Sequence, residues 1–265
     1  DDSVYRPVAG AVRPVRLGRG TAPLELELPA PVPRPLVAVG AHMKNTVALA
    51  WGRRVVLSPH IGDMGTPRSL EVFQAVVADL QAIHGVRAEA LACDAHPGYT
   101  TRRWAEAQGL PTTTVFHHHA HASALALEHP GAGDWLVFAW DGVGYGEDAT
   151  LWGGEALWGR PGAWERVGRL RPFRLPGGDK AARQPWRSAL ALCWEEGRDW
   201  AGAPGDTALL HQAWERGMNA PATTAAGRLF DAAAALTGLR LEASFEGQGP
   251  MELEAACAPA PAGDA

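Results

Sequence analysis

The stretch LVAVGAHMKNTVALAWGRRVVL (36–57) holds three apolar runs in quick succession, Leu36 to Ala41, Thr46 to Trp51 and Arg54 to Leu57. Gly52-Arg53 leaves room only for a tight turn between the last two, so the stretch predicts an antiparallel meander. Thr66-Pro67 then supplies an N-cap and a first-turn proline. The helix it opens has an apolar face of Leu70, Val72, Phe73, Val76, Val77 and Leu80, and Gly85 stops it. A strand from Ala88 to Cys93 ends at Asp94-Ala95-His96-Pro97, a helix covers roughly Thr101 to Gln108, and the run Thr114 to Phe116 passes into another helix.

Three strands, helix, strand, helix, strand, helix is the order of a ribonuclease-H-like α/β unit. The opening of that pattern recurs downstream, where Trp135 to Trp140, Ala149 to Ala156 and Trp164 to Leu170 again read as three strands joined by short turns. Two such units make the actin-like ATPase architecture. The expected organisation is a proline-rich segment over 1–34, with a strand around Leu24 to Leu28, a first unit over 35–133, and a second over 134–265. After Pro176-Gly177-Gly178-Asp179 the chain turns helical, over Ala181 to Glu196, Thr207 to Arg216, Thr224 to Thr237 and Gly249 to Ala258. The second unit's later strands are missing from the pattern, so it reads as incomplete.

Two motifs fall at predicted strand ends. In VFHHHAH (115–121), His117 and His121 are four apart and share a helix face, the spacing two nitrogen ligands need for one divalent metal. The other reading is a set of hydrogen-bonded imidazoles. In WDGVGYGED (140–148), Asp141 ends an apolar run, and Gly142, Gly144 and Gly146 follow at alternate positions. They read as a turn whose backbone N–H groups cradle a phosphate, or as a plain hairpin.

Composition narrows the function classes. A formal charge of -5, with lysine only at Lys44 and Lys180, offers no basic patch for nucleic acid. No apolar span approaches the length of a membrane helix, and no leader is visible. Cys93, Cys193 and Cys257 are odd in number and lack Cys-x-x-Cys spacing, which fits buried thiols of a reducing compartment, so the expected location is cytoplasmic.

Beyond these motifs, GAHMKNT (40–46), SPHIGDM (58–64), CDAHPGY (93–99), DATLWGGE (148–155), LPGGDKAARQPWR (175–187), TAAGRLFDAAAAL (224–236) and SFEGQGPMELEA (244–255) follow in order. Together they resemble the hydrogenase maturation carbamoyltransferases of the HypF family, and DDSVYR (1–6) resembles the close of that family's YrdC-like domain. The resemblance implies a TsaD-like C-terminal module. Upstream domains would make carbamoyl-adenylate from carbamoyl phosphate and ATP with Mg, and the module would pass the carbamoyl group to the C-terminal cysteine of HypE.

The same resemblance implies a metal, whether iron, zinc or manganese, on His117, His121 and Asp141. It implies nucleotide contacts at Asp141, Gly142, Gly144, Gly146, Gly227 and Asp231. Lys44 and Asn45 are candidates for touching phosphate or carbamoyl oxygens, and Arg183 and Arg187, read as one helix face, for an oxyanion clamp or a charged surface. Arg228 and Asp231, three apart, also suit a simple ion pair. In two respects the chain departs from the family. Ala149 stands where the family has glycine, and the last glycine motifs and final metal aspartate would lie beyond residue 265. The competing readings are a zinc hydrolase and a HypE-docking piece without catalysis.

Overall fold

The computed structural model describes residues 2–8, 10–129, 131 and 133–257, and the chain divides into two compact units, Asp1–Ala132 and Gly133–Ala265. The first begins with an exposed hairpin, β1 (Val4–Val8) against β2 (Ala11–Arg16). Its six-stranded sheet contains β3 (Leu24–Glu27), β4 (Leu36–Ala38), β5 (Ala48–Trp51), β6 (Arg54–Leu57), β7 (Ala90–Asp94) and β8 (Thr112–Val115), in the order β3-β6-β5-β4-β7-β8. Leu24–Glu27 pairs with β6, so the strand expected within the proline-rich segment joins the sheet of the first unit.

The pivot is β4, antiparallel to β5 and parallel to β7, which is in turn parallel to β8. Helices α1 (Pro67–His84), α2 (Thr100–Glu106) and α3 (His117–Glu128) follow β6, β7 and β8. This is the ribonuclease-H-like order the sequence predicts. Thr66 Oγ1 accepts from Ser69 N and Ser69 Oγ accepts from Thr66 N, a reciprocal cap that starts α1, and Gly85 at φ 61 ends it. Phe73, Val77 and Leu80 of α1 bury against Val37, Leu49 and Val56 of the sheet. At about 1.5–3 kcal/mol for each large apolar side chain, this packing is what holds the unit together.

The expected strand Leu36 to Ala41 stops at Ala38, and Thr46 to Trp51 begins only at Ala48. Asn45 accounts for the early exit from the sheet. Its Nδ2 donates to Val39 O and Ala41 O, each at 2.9 Å, and so replaces the ladder with a closed loop.

The second unit opens with a second meander, β9 (Trp135–Tyr145), β10 (Leu151–Arg160) and β11 (Ala163–Arg169). β12 (Phe173–Arg174), a 3-10 turn (Gly178–Ala182), α4 (Pro185–Glu195), α5 (Ala208–Glu215), β13 (Ala222–Thr223), α6 (Ala226–Leu236) and α7 (Gln248–Ala256) complete it. β13 lies parallel to β10 and antiparallel to β12. Ala189 of α4 meets Ala232 and Ala235 of α6, small side chains that let two helices approach closely. Among the described residues no strand lies against β9 as β7 lies against β4.

Two expectations are corrected here. The glycine run is not a turn: β9 continues through it, with Gly144 opposite Trp152 and Tyr145 opposite Leu151. None of Gly142, Gly144 and Gly146 takes a left-handed φ. The chain reverses later, where Gly146 N donates to Thr150 O and Asp148 accepts from the Thr150 amide and hydroxyl. Within β9 the register slips between Trp140 and Gly144, so Asp141 sits in a bulge and not at a strand end. The second correction concerns Ala181 to Glu196, which is not one helix. The 3-10 turn ends at Ala182 and α4 starts at Pro185, because proline cannot donate to a continuing helix.

Candidate functional site

In the first unit, the ends of β4, β7 and β8 open onto a cleft of about 380 Å³ lined by Lys44, Asn45, Cys93, Asp94, His117 and His121, among others. His117 is the first residue of α3 and His121 lies one turn on, so the two rings meet edge to face with centroids 4.9 Å apart. The shared face expected from their spacing is therefore present. His118 is fully buried, with its ring centroid 5.6 Å from that of His117 and 6.1 Å from that of His121.

Asp94 stands beside them, with Oδ2 2.7 Å from His117 Nδ1 and Oδ1 accepting from His96 N at 2.8 Å. The sequence reading placed Asp94 at a strand end but gave it no part in the site. The available signal was its position, since the C-terminal ends of parallel strands are where side chains converge on ligands.

Lys44 caps the loop over this cleft in a left-handed conformation, φ 50, and its backbone N–H donates to Asp63 Oδ1 at 2.9 Å. Its side chain is exposed. Asn45 is 1% exposed, and both hydrogens of its amide nitrogen are taken by the loop carbonyls. Asn45 therefore shapes the loop and has no N–H left to offer an oxygen. A Cβ at Gly40 would lie 2.5 Å from Asn45 Nδ2, so the loop closes only over glycine.

In the second unit the predicted nucleotide residues gather where α6 meets the β9 bulge. A Cβ at Gly227 would lie 2.8 Å from Gly142 Cα, and one at Gly142 would lie 3.9 Å from Glu246 Oε1. Asp231 is 2% exposed, with Arg228 Nη2 2.8 Å from Oδ2. The expected ion pair is present. Burial nevertheless pushes the Asp231 carboxyl up to about 6; Arg228 pulls it down, and Glu246 adds to the rise. Glu246, from the string SFEGQ, is a member of this cluster that the sequence reading did not single out. Gly146 faces Trp152 in the hairpin and is not part of this group.

Arg183 and Arg187 do not form one helix face, because the break at Pro185 separates them. Arg183 is exposed, whereas Arg187 donates from Nε to Gln184 and lies 4.5 Å over the Trp186 ring. Burial lowers the Arg187 pKa from its ordinary value.

A ribonuclease-H-like unit with a histidine pair at a strand-to-helix junction, followed by a second unit that opens with the same meander, defines an actin-like module. Two family profiles match, the HypF Kae1-like domain over 32–128 and the "Carbamoyltransferase, Kae1-like Domain, second subdomain" over 137–264. The chain belongs to the HypF family and spans this Kae1-like region of it. It is 38% identical to the carbamoyltransferase HypF of Synechocystis sp. across 98% of its length and 37% of the relative's. With that of Rhizobium leguminosarum bv. viciae it shares 41% identity across 96% and 34%. The crystal structure of full-length HypF in its phosphate- and nucleotide-bound form superposes with a TM-score of 0.91 at 33% identity, over 98% of this chain and 35% of that one. The chain thus spans about a third of the length of these relatives. Among the described residues no helix is long and apolar enough to cross a membrane.

Proposed function

We propose that the chain is the carbamoyl-transfer module of a HypF-type enzyme, acting on carbamoyl-adenylate with the C-terminal cysteine of HypE as acceptor, in the synthesis of the hydrogenase cyanide ligands. The observation that carries this reading is the first-unit cleft, where a cationic loop residue, a histidine pair and a buried carboxylate converge. His117, His121 and Asp141 would hold a divalent metal. Imidazole and carboxylate donors suit iron, zinc or manganese, and the paired rings on the cleft wall fit that assignment. When bound, such an ion supplies Lewis-acid polarisation of the carbamoyl and phosphate oxygens.

The chain's own residues do the remaining work. Lys44 places a positive charge at the cleft mouth, where it neutralises phosphate as the leaving group departs. Asn45 and Asp63 hold the loop that presents Lys44. The cluster of Asp141, Gly142, Gly227 and Asp231 supports the nucleotide: Gly227 admits close backbone approach, and Asp231 offers a carboxylate for hydroxyl groups. In the transfer itself the cysteine sulfur bonds to the carbamoyl carbon, the bond from that carbon to the adenylate oxygen breaks, AMP leaves, and the thiol proton passes to solvent.

The test joins this chain to the family's upstream activating domains, supplies carbamoyl phosphate, ATP and HypE, and examines the acceptor cysteine by mass spectrometry. A carbamoyl adduct that disappears with His117→Ala and His121→Ala is expected. No adduct with the unaltered chain, or an adduct that survives both changes, overturns the proposal.

A further inference from the structure

We infer that Asp94 is a positioning residue for His117, holding its ring in the one tautomer and orientation that leaves Nε2 available to a metal. The inference rests on the metal reading above. Its geometric basis is the 2.7 Å approach of Asp94 Oδ2 to His117 Nδ1. A carboxylate oxygen accepts, so the nitrogen it faces carries the proton, and the lone pair of the neutral imidazole is left on Nε2.

The pair is built by the sheet. β7 and β8 run parallel with Asp94 opposite Val115, and Ala95 N donates to Val115 O at 2.9 Å. The carboxylate at the end of one strand thereby reaches the imidazole two residues past the end of the next. Asp94 is itself oriented at its other oxygen by His96 N, and its side chain is 5% exposed against 21% for His117. A carboxylate this buried is shielded from competing water, which makes its hold on the ring directional. Carboxylate support of this kind, when removed, typically lowers metal affinity by about 10- to 100-fold.

Asp94→Asn is the informative change, because the amide oxygen can still accept from His96 N and the loop is preserved. Its NH2 can instead face His117 Nδ1, which would move the ring proton to Nε2. Two readouts are taken on the 265-residue chain. Long-range proton–nitrogen NMR of the metal-free protein assigns the His117 tautomer, and competition with a chromophoric chelator measures Zn2+ affinity. The expected result is the Nδ1–H tautomer in the unaltered chain, its loss in Asp94→Asn, and an affinity drop of about 10- to 100-fold with an unchanged circular dichroism spectrum. An Nε2–H tautomer in the unaltered chain, or equal Zn2+ affinity in the two proteins, overturns the inference. A chain with the expected tautomer that binds no Zn2+ also overturns it, and in that case the fault lies in the metal reading and not in the Asp94–His117 pair.

Discussion

A Cβ at Gly146 would lie 2.0 Å from the indole nitrogen of Trp152, and the other two nearest atoms belong to the same ring. Trp152 is 1% exposed, donates from Nε1 to Asp148 Oδ1 at 2.8 Å, and lies beneath the Arg166 guanidinium, 4.2 Å from its ring centre. Arg166 also holds Asp148 at 2.7 Å and approaches the buried Glu155 at 3.6 Å. The glycine is thus required by an indole and not by a phosphate. Gly146→Ala is expected to destabilise the chain by about 1–3 kcal/mol, the usual cost of overpacking, read as a lower urea midpoint. An unchanged midpoint would show that the hairpin yields.

Ala149 occupies a left-handed conformation, φ 58, in the turn after β9. A methyl group there costs energy that glycine does not. Ala149→Gly is expected to stabilise the chain by about 0.5–1 kcal/mol, a balance of relieved strain against added freedom in the unfolded chain. A raised urea midpoint with unchanged slope is the confirming measurement.

Asp231 gives a pH dependence with a definite sign. Its carboxyl titrates near 6 in the fold because it is buried, against about 4 in the unfolded chain. Between those values the unfolded chain releases its proton first, so stability falls as pH rises from about 4 to about 6 and then levels off. Relative to Asp231→Asn, the unaltered chain is expected to lose on the order of 2–3 kcal/mol across that window. Parallel denaturation curves at pH 4, 5, 6 and 7 test this, and a constant difference between the two proteins would refute it.

Lys44 allows its backbone and side-chain roles to be separated. Because its φ is 50, Lys44→Gly removes the charge while easing the loop, so stability should hold or rise by a few tenths of a kcal/mol. Transfer to the acceptor cysteine should nevertheless fall by at least about 10-fold if the ammonium neutralises the departing phosphate. Equal transfer rates would assign Lys44 to the surface.

Much of the first unit was legible in the sequence, because its signals are local. Thr66-Pro67 and Gly85 bracket α1, Gly52-Arg53 turns the β5–β6 hairpin, and a four-residue spacing places His117 over His121. What escaped depends on partners distant in sequence. The glycines of β9 look like a loop until Trp152, Ala225 and the start of α6 are seen packed against that hairpin. Pro185 separates Arg183 from Arg187 in a stretch whose composition reads as continuous helix. Asp94 gains its part only through the β7–β8 register, which alternation within either strand does not reveal. Asn45 looked like a ligand contact because nothing in its neighbourhood shows that its amide is already committed to Val39 and Ala41.

The pairing of Asp94 with Val115 also bears on the order in which competence is acquired. Only 21 positions separate the two strand ends, and the intervening α2 closes the crossover, so the contact is local by the standards of a parallel sheet and carries a modest loop-closure cost. The histidine face and its carboxylate support are therefore complete once β7, α2, β8 and α3 have docked. The two imidazole ligands of the proposed cation site are thereby ordered within the first unit before a cation arrives, and their ordering does not count against its affinity.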